Sequence, residues 1–177
     1  MRTTLCSTLL LTTLALAPAA AQQPSPAPAA AGADALAADI AKDWEAQKAR
    51  MIAVAEAMPA DKYTFKTTPE QRTFGNQLLH LAQAHVRMLK PLDPAGKVPE
   101  PTIPASETRD DVIKSLTAAY DYGTAVLKAV DGPMHQTVGA NTRARAYWNA
   151  MNNAMNHYGQ CVIYLRVNGI VPPASRK

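Results

Sequence analysis

Residues Asn141 to Pro173 read NTRARAYWNAMNNAMNHYGQCVIYLRVNGIVPP. Asn141 or Thr142 is placed to cap a helix, and the periodic pattern that follows runs to Asn168. Gly169 then offers a left-handed C-cap, and Pro172-Pro173 bars continuation. At about 100° per residue, Ala150, Ala154, Cys161, Leu165, Tyr147 and Tyr158 gather on one apolar side. Asn152, Asn156, Gly159 and Arg166 fall opposite. His157 points inward, and Asn153 lies at the edge of the same face, about 40° away. Gln160 and Tyr164 share that edge. An inward histidine one turn after an inward amide is a possible ligand pair. The simpler alternative, on this helix taken alone, is a core histidine hydrogen-bonded to a neighbour.

Three more helices precede this one. Asp34 to Met58 places Leu36, Ile40, Trp44, Met51, Ile52, Val54 and Ala55 mostly at helical spacing, and Pro59 stops it. Thr68-Pro69-Glu70 resembles a helix start, with proline in the first turn, and that helix extends to Lys90 before Pro91. Ser106 or Thr108 caps a third, ending near Val130 ahead of Gly132-Pro133. The stretch between the second and third, Asp93 to Ser106, holds Pro94, Pro99, Pro101 and Pro104 and cannot be a regular helix. Four apolar stripes bury most simply in an all-α four-helix bundle, and so long a link implies a crossover between helices two and three.

The chain has 177 residues, which sets the expectation of one domain. A net charge of +4 and a charged fraction of 18% fit neither a disordered chain nor a strongly basic nucleic-acid binder. Thr142-Arg143-Ala144-Arg145 is the one basic cluster on the last helix, and it reads as a solvated face rather than a nucleic-acid stripe. At the N-terminus, Arg2 precedes the apolar run Leu5 to Ala17, which is shorter than the roughly 20 residues of a membrane span. Pro18 and the small residues Ala19-Ala20-Ala21 complete a signal-peptide pattern. The expected organisation is a signal peptide over 1–21, a Pro/Ala-rich flexible tether over 22–33, and the bundle over 34–177. Such a chain is exported, to the periplasm or the outside, and keeps no membrane span after cleavage. Cys161 is then its one thiol, so no internal disulfide forms.

On the second helix a wheel puts His85 in the core and His80 on the polar side, a side that is either solvent or the wall of a cleft. His135 lies in the loop before the last helix, within reach of a bundle end. No phosphate-binding loop, CxxC, HExxH or GxSxG is present.

The run from Asn153 through His157, Gln160, Tyr164-Leu165-Arg166 and Gly169 to Pro172-Pro173 resembles the last helix of the DinB-like superfamily, His-x-x-x-His-x-x-Gln followed by Tyr-Leu-Arg, Gly and Pro-Pro. Phe74 to His80 resembles the superfamily's second-helix segment, and Trp44, Met58 to Tyr63 and Pro69 fit its first helix and following turn. The resemblance implies a bundle with a long crossover. It also implies a divalent metal, often zinc or nickel, on three histidines, at positions occupied here by His80, Asn153 and His157. It thereby favours His80 over His85. Asparagine is a neutral oxygen donor, much weaker than imidazole for these ions, so the expected site is weak or empty.

Two functions follow. One is metal-assisted chemistry, as in the transferases and hydrolases of the superfamily, although no Asp or Glu lies within a turn of His80 or His157 to serve as a base. The other is a non-catalytic module that binds a small molecule or associates with itself. A homodimer is the expected assembly, with Trp148 on the outer side of the last helix as a contact.

Overall fold

The computed structural model describes residues 29–176, with side chains from residue 35 onward. Four helices account for most of it: α1 (Ala29–Ala57), α2 (Phe74–Leu89), α3 (Arg109–Ala129) and α4 (Arg143–Val167). The expected signal peptide lies outside the described residues. α1 begins within the stretch expected to be tether. Among the described residues, no helix is long and apolar enough to cross a membrane.

Threonine caps three of the helices. Thr142 Oγ1 accepts from Arg145 N–H at the start of α4, and Thr108 Oγ1 accepts from Asp111 N–H at the start of α3. α2 corrects the sequence expectation. It starts at Phe74 rather than near Thr68, because Thr73 is its cap and accepts from Asn76 N–H. The residues before it turn back on themselves instead: Phe74 N–H donates to Phe65 O and Gly75 N–H to Tyr63 O. At the other end of the chain, Gly169 has φ +73°, the left-handed stop expected of it.

Cross-helix bonds fix the directions. Gln47 Nε2 donates to Met151 O and Arg50 reaches Met155 Sδ, so α1 and α4 run parallel. Lys48 pairs with Asp121, and Thr124 donates to Glu45, so α1 and α3 run antiparallel. α2 and α4 are antiparallel, joined by Tyr164 to Arg72, Gln77 to Gln160 and His85 to Ala150. It follows that α2 and α3 point the same way, and their link must return along the bundle. Lys90 near the C-terminal end of α2 pairs with Glu100, and Glu107 accepts from Thr73 and Asn76 at its N-terminal end. α2 and α4 thus flank one seam, with α1 and α3 closing the opposite side.

One ring from each helix meets at the centre. Trp44 of α1 is fully buried, with His85 of α2 and Tyr120 of α3 both at 4.9 Å between ring centres and Tyr147 of α4 at 5.6 Å. Its indole N–H donates to Tyr120 O, and Tyr147 OH donates to Gly123 O. Burial of aromatic rings supplies large apolar area, and both polar tips find carbonyl partners.

Arg143 departs from the solvated face expected of it. It is 3% exposed, and its guanidinium donates to Gly132 O and Leu127 O beyond and within the last turn of α3. A cation at the negative end of a helix is favourable, and here it ties the α3–α4 loop to both helices. In that loop two residue pairs form a minimal antiparallel ladder, Thr137 with Thr142 and Val138 with Asn141.

Candidate site at the α2–α4 seam

α2 and α4 bring two polar stripes face to face. Gln77 and His80 lie three residues apart on α2, and His157 and Gln160 three apart on α4. The antiparallel register stacks them as two layers. In one, Gln77 Nε2 donates to Gln160 Oε1. In the next, the His80 and His157 rings stand 5.5 Å apart at 47°. His157 is 6% exposed, and His80 and Asn153 are half-buried. The same register sets Asn153 level with Ala84, one turn nearer His85.

The ring separation is a test of metal fit. Zinc–nitrogen bonds of about 2.1 Å at a tetrahedral ion hold two imidazole ring centres roughly 5 Å apart. His80 and His157 match that spacing. His157 Nδ1 and Asn153 Nδ2 are buried without a hydrogen-bond partner. An amide turned end for end would present its oxygen where that nitrogen now sits. The two imidazoles have a spacing that one divalent ion would span, while the Asn153 amide, one turn farther along α4, is a weak donor for it. Among the described residues no group of three or more His, Cys, Asp or Glu side chains is placed to hold one.

Electrostatics keep both rings neutral. Burial lowers the pKa of His157 to about 4, helped by His80 and then by Arg72. His80 is lowered by burial, then by Arg72 and Arg87. Neutral imidazole is the form that ligates a metal. The surrounding field is positive, which disfavours a cation and favours an anion beside it.

The remaining candidates separate cleanly. His85 is fully buried, donates from Nε2 to Ala150 O at 3.2 Å and packs against Trp44 with the rings tilted by 44°, so it is a core residue. Its own pKa falls to about 4, chiefly through burial. His135 is exposed in the loop before α4, and His157 lies roughly 20 Å farther along that helix. His135 therefore cannot join the pair. Tyr164 donates to Arg72 O and holds the approach to α2. Cys161 is fully buried and its thiol is pushed up to about 12 by desolvation, which leaves it inert. Gln77 had no role in the sequence reading; its position one turn before His80 was the available signal.

No protein-family model matches the chain, and no curated protein matches it.

Proposed function

We propose that the chain is an exported DinB-like four-helix bundle whose α2–α4 seam holds a divalent metal, zinc or nickel, weakly through His80, His157 and the side-chain oxygen of Asn153. The observation that carries this reading is the 5.5 Å spacing of two neutral imidazoles on facing helices. The crossover after α2 and the left-handed Gly169 support the family assignment.

Binding is favoured over turnover. A bound ion would supply Lewis acidity to a water or thiol beside it. This chain offers no carboxylate within a turn of either histidine to move the proton. Arg72 and Arg87, which act on His80, make an anionic small molecule the co-ligand that best suits the cleft. The test is calorimetric titration of zinc and of nickel into the chain and into Asn153→His. A gain of at least tenfold on restoring the third imidazole supports the reading. No gain makes His80 and His157 a structural pair.

A further inference from the structure

The outer face between α1 and α4 holds two hollows, of about 260 and 450 Å³, that meet at Asp43, Trp148 and Met151. The smaller one is lined in a definite order. On α1, Asp43, Gln47 and Arg50 border it at spacings of four and three, so an acid, an amide and a base follow one another along one helix face. On α4, Trp148, Met151 and Met155 border it at spacings of three and four and form an apolar wall. Trp148 is 59% exposed and Met155 42%, whereas the chain's other tryptophan, Trp44, is fully buried.

The three polar groups on α1 all lack a complementary partner among the described residues. Gln47 is 5% exposed; its Nε2 donates to Met151 O, while its Oε1 is buried with no hydrogen-bond partner. A buried amide oxygen without a donor costs free energy, so it marks a place where a donor belongs. Asp43 and Arg50 make no salt bridge. Arg50 rests instead on Met155 Sδ at 3.3 Å and on the Tyr158 ring, 5.7 Å from its guanidinium carbon. In the larger hollow Asp39 adds a second carboxylate beside Asp43 and Arg145 adds one cation, so that end stays net negative.

At 1.5 Å per residue, Asp43 and Arg50 stand about 10 Å apart along α1, with Gln47 between them. An extended chain of three residues, at about 3.3 Å each, spans the same distance. We infer that this groove binds a short peptide with free termini and apolar side chains. Its α-amino group faces Asp43, a peptide N–H donates to Gln47 Oε1, and its α-carboxylate faces Arg50. The side chains lie on Trp148, Met151 and Met155. Amine, N–H and carboxylate occur in that order along a peptide, and acid, amide and base meet them in that order along α1. The inference does not rest on the metal reading, because it uses no residue of the α2–α4 seam.

Titration of the chain with leucyl-alanyl-leucine, read by calorimetry and by tryptophan emission, tests it. The expected result is one site per chain and a blue shift of Trp148 emission. N-acetylation and C-amidation of the peptide should each weaken binding about fivefold, the worth of one exposed ion pair. N-methylation of both peptide bonds should weaken it by a similar factor, because no N–H is left for Gln47. Asp43→Asn should bind the free and acetylated peptides alike, and Arg50→Gln the free and amidated ones, since each variant lacks the charge that tells the two apart. No binding at millimolar peptide overturns the inference. So does binding that capping and methylation leave unchanged, or discrimination between free and capped ends that both variants retain. Sedimentation run alongside identifies a competing occupant: a dimer that buries Trp148 and that the peptide fails to dissociate overturns the inference in favour of a second copy of the chain.

Discussion

Trp44 packs directly against the backbone of Gly123. A Cβ built on that glycine would stand 2.4 Å from Trp44 Cζ2 and 2.9 Å from Leu89 Cδ1. The absence of a side chain on α3 lets the indole of α1 reach Tyr120 O and lets Tyr147 reach Gly123 O. Gly123→Ala should therefore destabilise the chain by roughly 1–3 kcal/mol, because a rigid ring and a buried leucine must both move. Gly159 is the contrast: it is exposed, inside α4, with nothing within 4 Å of the added carbon. Gly159→Ala should stabilise by about 0.5–1 kcal/mol. Urea unfolding of both variants checks the pair, and equal effects would contradict the packing described.

Acid should unfold the protein through its buried histidines. His85 is neutral in the native state, with its pKa held at about 4 by burial, and takes a proton below about 6.5 once unfolded. The unfolded chain binds more protons between those values, so stability is full above pH 6.5 and falls as pH drops toward 4. His85 alone accounts for roughly 3 kcal/mol of that loss. His157, lowered in the same direction, adds to it. Urea unfolding at pH 7.5 and at pH 4.5 should show the drop, and His85→Gln should shrink it while lowering stability at neutral pH.

The limits of α4 were legible because each rests on local chemistry: a threonine cap, a glycine at positive φ and a proline pair. The start of α2 was not. Thr68-Pro69-Glu70 has the composition of a helix start, but carbonyls at Tyr63 and Phe65 claim the N–H groups of Gly75 and Phe74, which fixes the helix start at Thr73. Arg143 was misread for a related reason, since its partners, Leu127 and Gly132, become near only once the loop folds. Helical phase alone put His157 inward. It also put His80 on a polar side, which is correct. A wheel carries no information about the neighbouring helix, and here α4 covers that side with His157 and Gln160. Only the family resemblance singled out His80 over His85.

Tyr164 should prove structural. Its hydroxyl donates to Arg72 O and fixes the strand of chain entering α2. Tyr164→Phe should cost about 1 kcal/mol, the net worth of one hydrogen bond, and leave zinc affinity within twofold of the parent. A large fall in affinity with unchanged stability would place the hydroxyl in the site instead.

Zinc-edge absorption spectroscopy of the zinc-loaded chain tests the central claim most directly, because it counts the imidazoles on the ion. Two imidazole ligands at about 2.0–2.1 Å, with oxygen donors completing the set, are expected for the parent, and three for Asn153→His. His80→Ala should leave one. A parent spectrum with one imidazole or none, or an Asn153→His spectrum unchanged from the parent, would contradict the assignment of His80, Asn153 and His157 to one metal site.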